Sequence, residues 1–187
     1  LLALTLPTTS ALHPTVHHGN WIGRDDYESK SSLSEITASQ PLHRLVFAVQ
    51  QKNLQELEEI TIKVSDPSST MYGQHLTHKQ VHQMTSNPSG TRVVRAWCNS
   101  HNLKEVHTNN GREKKDLDEY LTYEATIAQW ESLLQAKFLR MVRRSSSGSG
   151  SGSGSGGDSF IMRSTQYTMP TELENHVTHI FNVIELL

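Results

Sequence analysis

Cysteine is nearly absent from this chain of 187 residues, which contains Cys98 alone. A single thiol excludes an internal disulfide and a metal cluster built from cysteine thiolates. The sequence also lacks the run of about 18 apolar residues that a transmembrane helix requires. The charges nearly cancel, with 17 Lys and Arg against 19 Asp and Glu. This balance argues against a nucleic-acid-binding protein that relies on attraction to phosphates.

Glycine is scarce except in one segment. Residues 145–157 consist only of Ser and Gly and hold six of the 11 glycines. Such a segment has no side chains to bury in a core and behaves as random coil. We therefore predict a flexible loop at 145–157, at the tip of a hairpin, which is either natural or an engineered replacement of a longer loop.

Histidine, in contrast, is abundant, with 11 residues in the chain. Free histidine has a pKa of about 6.5, so the protonation of these side chains falls between roughly pH 7 and 5. Full protonation changes the formal net charge from −2 to +9 if the carboxylates stay ionised. The chain is therefore able to change its charge in an acidic compartment, although solvated histidines without a function remain the alternative.

The first 40 residues differ in character from the rest. An apolar stretch, Leu1 to Leu6, precedes small residues that end at Ala11, which resembles the end of a signal peptide without its basic start. We expect a signal-peptide remnant at 1–11, with an apolar tail or a buried strand as the alternatives. Residues 12–40 are polar and lack a period, which favours an extended arm. Residues 41–187 are predicted to form one domain.

Hydrophobic periodicity predicts alternating strands and helices in this domain. Leu45, Phe47 and Val49 share one face of the first strand. Helix starts are indicated by Asn53 with Glu56, by Thr77, by Asn87 before Pro88 and by Thr126 with Gln129. The predicted strands are 42–50, 105–108, 120–125, 138–143 and 160–167, and the predicted helices are 53–64, 77–84, 88–103, 126–134 and 170–180.

This order predicts an α+β fold with a ferredoxin-like antiparallel sheet and helices on one face. The other face of the sheet, which we call the open face, is left for docking on a partner domain. The predicted core comprises Leu45, Phe47, Val49, Leu57, Trp97, Ile127, Trp130 and Leu133. Alternation along the strands gives the predicted contact residues of the open face as Arg44, Val46, Ala48, Tyr120, Thr122 and Arg140.

Other groupings of polar residues give weaker signals. His78 and His82 lie one helical turn apart, a spacing that suits zinc, but no acidic residue or cysteine stands at a matching position. The acidic residues near Asp116 lack the pattern of a calcium loop, and no Gly-x-Ser-x-Gly segment is present. Arg143 and Arg144 could form a dibasic cleavage site, with a strand end as the simpler interpretation. We predict no metal, no cofactor and no catalytic residue.

One segment, Val64 to Thr77, is distinctive. It resembles the VSDPxSxxYGxxLT signature in the propeptides of sedolisin peptidases, with weaker similarity around 43–54, 93–102 and 167–170 in the expected order. The resemblance covers about residues 41–183, apart from the Ser/Gly run. The signature residues are Ser65, Asp66, Pro67, Tyr72, Gly73, Leu76 and Thr77.

The resemblance implies a propeptide that helps a serine peptidase domain to fold and inhibits it until acid triggers autocatalytic removal. It implies a catalytic domain as the partner and an acidic lysosomal or extracellular setting in the secretory pathway. It implies no nucleic acid, membrane or small-molecule ligand. The family's Ser-Gly-Thr-Ser segment is absent, so the chain is not expected to be an enzyme. The alternative is a free-standing protein-binding module of the same fold.

Overall fold

A computed structural model describes residues 15–18, 27–30, 42–107, 119–143 and 160–184. Within these ranges the strands are β1 (Val16–His18), β2 (Tyr27–Lys30), β3 (Leu42–Val49), β4 (Lys104–Glu105), β5 (Tyr120–Thr126), β6 (Phe138–Arg143), β7 (Phe160–Ser164), β8 (Gln166–Thr168) and β9 (Val177–Phe181). The helices are α1 (Leu54–Ser65), α2 (His78–Thr85), α3 (Pro88–Ser100) and α4 (Ile127–Leu134). The predicted signal-peptide remnant at 1–11, the Ser/Gly loop at 145–157 and Asp116 lie outside the described residues.

The main sheet has four strands in the order β4-β5-β3-β9, and each neighbouring pair is antiparallel. Helices α1 to α3 connect β3 to β4, and α4 follows β5. The predicted α+β class with an antiparallel sheet is confirmed. The strand order also fits the ferredoxin-like arrangement, in which two β-α-β units interleave in one sheet.

The last strand of this sheet replaces a predicted helix. Residues 171–176 form turns, and Val177 to Phe181 form β9 at the edge of the sheet, so the helix predicted at 170–180 is wrong. Val177 and Ile180 are both buried although they lie three residues apart, a spacing that indicated a helix. The pairing of β3 with β9 shifts register between Ala48 and Val49. This bulge lets the side chains of Val177 and Ile180, both in β9, face the core.

Two smaller sheets use residues from the predicted arm. Strand β2 pairs with β6, which also pairs with β7, and β1 pairs with β8. The sequence before Leu42 has no strand period, so neither β1 nor β2 was predicted. The single strand predicted at 160–167 is divided into β7 and β8 at Thr165.

The core lies between the main sheet and its helices. The ring of Phe47 in β3 is 6.2 Å from the ring of Trp97 in α3 and 6.1 Å from that of Trp130 in α4. Both helices therefore pack on the sheet face that carries Phe47. Leu57 is only half-buried and lies outside the main core cluster, so its placement in the core is wrong. The reason is that α1 buries only Val64.

All four helices begin directly after the predicted capping residues, and in three of them the side chain of that residue caps the helix. Thr77 and Thr126 form capping boxes with Gln80 and Gln129, and the Asn87 side chain accepts a hydrogen bond from the amide of Gly90. Asn53 differs, because its backbone is left-handed and its side chain donates to Met84 O at 2.9 Å. The predicted pairing of Asn53 with Glu56 is therefore wrong, and Asn53 instead fastens α1 to α2.

The thiol of Cys98 is expected to be inert in the folded chain. Cys98 is fully buried in α3, and this burial, with the nearby charge of Glu105, raises the pKa of its thiol to about 12. Only the thiolate reacts with disulfide reagents, and its population at pH 8 is then of order one in ten thousand. We expect labelling by a disulfide reagent at pH 8 to be at least ~100-fold slower than in denaturant. Equal rates in the two conditions would contradict this burial.

Candidate protein-docking face

The sheet face opposite the helices is built from three cross-strand rows. The first row is Tyr120, Ala48 and His179, and the second is Thr122, Val46 and Phe181. The third row is Lys104, Glu124 and Arg44. Because side chains alternate along a strand, these residues share one face, and Phe47 with its neighbours Ile180 and Leu121 occupies the other.

Aromatic side chains dominate one end of the open face. Tyr120 is 55% exposed and Phe181 is 38% exposed. Their ring centroids are 6.3 Å apart, and the ring of His179 lies 4.8 Å from that of Phe181. Large aromatic side chains held close together in a sheet are typical of protein-binding surfaces, because they offer contact area with few rotatable bonds.

The ribbon of β1 and β8 extends this aromatic region. His17 stacks on Tyr167 with ring centroids 4.7 Å apart and an angle of 9° between the planes. Both rings are 6.3 Å from that of His179. The hydroxyl of Tyr167 accepts a hydrogen bond from the Ile180 amide, which ties the ribbon to β9. His179 therefore stands beside the exposed Phe181, and His17 lies next to His179.

His17 of the ribbon is disfavoured in its positively charged form. Burial lowers the pKa of His17, and the neighbouring charges of His179 and His18 lower it further, while Glu174 acts in the opposite direction. The Oε1 atom of Glu174 accepts a hydrogen bond from the Thr15 amide at 2.6 Å. A proton on His17 is therefore disfavoured both by burial and by the imidazole of His179, whose ring centroid is 6.3 Å away.

Charged side chains at the other end of the open face largely compensate one another. Arg44 Nε donates to Glu124 Oε2 at 2.8 Å, and Lys104 Nζ lies 3.7 Å from Glu124 Oε1. The hydrogen bond from Arg44 lowers the pKa of the Glu124 carboxyl. The cations beside Glu124 therefore stabilise its carboxylate in the charged form.

The predicted contact residues do not all lie together. Arg44, Val46, Ala48, Tyr120 and Thr122 share the open face, but Ala48 is buried and offers little contact area. Arg140 lies in β6 of the three-stranded sheet, opposite Met162, and is not part of this face. Sequence reasoning missed His179 and Phe181, because the segment was interpreted as a helix; alternation on either side of the buried Ile180 places both on the open face.

Comparison with known proteins decides the family. The sequence matches the family described as "Pro-kumamolisin, activation domain" over residues 29–186. The chain belongs to this family. The pro-kumamolisin match confirms the resemblance to sedolisin propeptides, and as an activation domain the chain is a propeptide and not the catalytic part of such a peptidase.

Several tripeptidyl-peptidases are similar to this pro-kumamolisin activation domain. Tripeptidyl-peptidase 1 of Rattus norvegicus is 31% identical over 149 residues, which are 78% of this chain and 23% of that protein. Tripeptidyl-peptidase sed1 of Aspergillus fumigatus is 29% identical over 139 residues, 73% of this chain and 19% of that protein. Tripeptidyl-peptidase 1 of Dictyostelium discoideum is 26% identical over 143 residues, 76% and 21% respectively. The chain thus spans about a fifth of these relatives.

The signature segment of the activation domain is a tightly bonded loop after α1. The Asp66 carboxylate accepts from both the amide and the hydroxyl of Ser68, and these bonds lower its pKa. Gly73 has φ +74°, which favours glycine, and its amide donates to Val64 O at 2.9 Å. Thr77 then caps α2. The segment therefore has a structural role, while Tyr72 projects from it and is 58% exposed.

Two of the three histidines near this loop face solvent. His75 and His78 are exposed, and His82 Nδ1 lies 3.1 Å from Glu119 Oε1. Among the residues that the structure describes, no group of three or more His, Cys, Asp or Glu side chains is placed to hold a metal ion. Within the same residues, no helix has the length and apolarity needed to cross a lipid bilayer.

Proposed function

We propose that this chain is the activation propeptide of a sedolisin-type serine peptidase and acts as its intramolecular chaperone and inhibitor. Its partner is the catalytic domain, and acid-triggered autoprocessing releases it. The proposal is carried by the exposed Tyr120 and Phe181 on the open face of a pro-kumamolisin activation domain. The compartment that fits this role is an acidic lysosomal or extracellular one, reached through the secretory pathway.

The open face is suited to a folding partner for physical reasons. Strands β3 and β5 hold its residues in a fixed register over seven pairs, Leu42↔Thr126 to Ala48↔Tyr120. A rigid surface loses little conformational entropy when it binds, so it can stabilise a partially folded catalytic domain. A docking role requires no catalytic residue, and the chain lacks the Ser-Gly-Thr-Ser nucleophile segment of sedolisin peptidases.

Inhibition and release follow from the same contact. Exposed aromatic anchors in the centre of an interface each contribute about 2 kcal/mol or more when they are desolvated. His179 contacts the anchor Phe181, His17 lies next to His179, and burial already lowers the pKa of His17. Docking buries these rings further, so the complex binds fewer protons than the free propeptide does. By linkage, acid then favours the free state.

We expect the dissociation constant of the complex to rise at least ~100-fold between pH 7 and pH 4.5, as two groups each shifted by one pKa unit would produce. The measurement is the affinity of the chain for its separately expressed cognate catalytic domain, recorded across this range. Refolding yield of the catalytic domain, with and without the chain, tests the chaperone role independently. A dissociation constant that does not change with pH would contradict acid release but not docking. The absence of binding at every pH would favour the free-standing module.

A further inference from the structure

His43 lies where several elements of the fold meet. It belongs to β3 on the side that faces the helices, and its ring makes an edge contact with Phe138 of β6, with centroids 5.2 Å apart. Its Nε2–H donates to the backbone carbonyl of Asn182 at 2.9 Å. The carbonyl of His43 in turn accepts from Nε1 of Trp130 in α4 at 2.9 Å. One residue thus links the main sheet, α4 and the turn after β9.

Asn182 connects this residue to the three-stranded sheet. Its backbone is left-handed, with φ 69°, and its side chain donates to the carbonyl of Arg44 at 3.3 Å. Its Oδ1 accepts from the guanidinium of Arg163 in β7 at 3.4 Å. The Val183 carbonyl also accepts from the Ser164 amide at 2.6 Å. The turn after β9 is therefore held by β3 on one side and by β7 on the other.

The surroundings of His43 oppose a positive charge. Arg163 of β7 is buried and is the charged group whose field acts on His43. From α4, the carboxylate of Glu131 is occupied by the amide of Phe138 at 2.9 Å. Arg44 and Glu124 form their ion pair on the opposite face of the sheet. Burial lowers the pKa of His43 most, and Arg163 lowers it further, while the bond to Asn182 acts in the opposite direction.

We propose that His43 and Arg163, which both donate to Asn182, form an acid-sensitive clasp between the main sheet and β7. Protonated His43 keeps its Nε2–H bond to Asn182, but it then places a second positive charge beside the buried Arg163, and this repulsion loosens the turn. Phe181 precedes Asn182 directly, so loosening of this turn shifts an aromatic residue of the open face. The role of the clasp in releasing the partner rests on the proposed function. Its effect on the stability of the chain itself does not depend on any partner.

The direction of the pH effect follows from linkage. The folded chain holds His43 with a lowered pKa, so the unfolded chain binds the proton more readily. The stabilisation is therefore fully present above the unfolded pKa of about 6.5 and is lost as the pH falls towards the folded pKa.

The test uses the 187-residue chain and its variant His43→Gln, whose amide nitrogen can still donate to Asn182 but does not titrate. The unfolding midpoint in urea is measured at pH 7 and pH 5. We expect the variant to show less than half of the wild-type decrease, and the exposed control His75→Gln to keep all of it. If the urea midpoint of His43→Gln falls between pH 7 and pH 5 as much as that of the wild type, the proposal is wrong.

A second measurement covers the case in which His43→Gln does not fold. The imidazole C–H resonances of the wild-type chain are titrated by NMR. We expect the His43 ring to titrate below pH 6.5, together with shifts of the Asn182 and Phe181 amides. Titration of His43 at or above the ordinary histidine pKa, or an Asn182 amide that does not move with it, would refute the clasp. Neither experiment requires a catalytic domain, so failure of the clasp is distinct from failure of the proposed docking.

Discussion

Replacing Trp130 by alanine is expected to lower the free energy of unfolding by about 3–5 kcal/mol, the range for large-to-small changes at buried aromatic residues. Trp130 is fully buried, and its ring packs against Phe47 at the centre of the core. The substitution also removes the bond from Nε1 to the carbonyl of His43, which joins α4 to β3. Unfolding in urea, followed by circular dichroism, measures the effect.

The variant Trp130→Phe separates packing from hydrogen bonding. It keeps an aromatic ring but leaves the carbonyl of His43 without its indole partner, which costs about 1–3 kcal/mol for a buried acceptor. We expect it to lie between the wild type and Trp130→Ala. If the free energy of unfolding of Trp130→Ala falls by less than about 1 kcal/mol, α4 does not pack on the sheet as described, because a residue at the centre of the core contributes more than this.

Residues 42–134 were largely predictable because their signals are local. Leu45, Phe47 and Val49 alternate along one strand, and Thr77 and Thr126 form capping boxes within four residues of chain. These patterns depend on the chain next to them, so sequence alone contains them. The same alternation placed Tyr120 and Thr122 on the face of Val46, which the observed register between β3 and β5 reproduces.

The segments on either side, such as β1 and β9, were less predictable because residues distant in the sequence determine their structure. The bulge between Ala48 and Val49 lets a strand bury Val177 and Ile180 with the spacing of a helix. Strand β1 has only three residues and depends on β8, about 150 positions further along the chain, for its partners. The aromatic contacts next to the open face join His17, the buried Tyr167 and His179 from three strands. No local sequence pattern predicts contacts between residues so far apart in the chain.

The substitution Tyr120→Ser is expected to weaken binding of the cognate catalytic domain at pH 7 about 30-fold or more, the effect of losing an aromatic anchor. Tyr120 is 55% exposed at the start of β5, beside Phe181, so its removal deprives the open face of contact area without opening the core. The free energy of unfolding should therefore change by about 0.5 kcal/mol or less, as for other surface substitutions. Titration calorimetry measures the affinity.

The chain offers a matched control in Tyr72→Ser. Tyr72 is 58% exposed, nearly as much as Tyr120, but it belongs to the loop after α1 and not to the open face. The same chemical change at this position should leave the affinity within about threefold, since an exposed side chain outside an interface contributes little to binding. If Tyr72→Ser weakens binding and Tyr120→Ser does not, the catalytic domain docks on the signature loop, and the open face is not the interface.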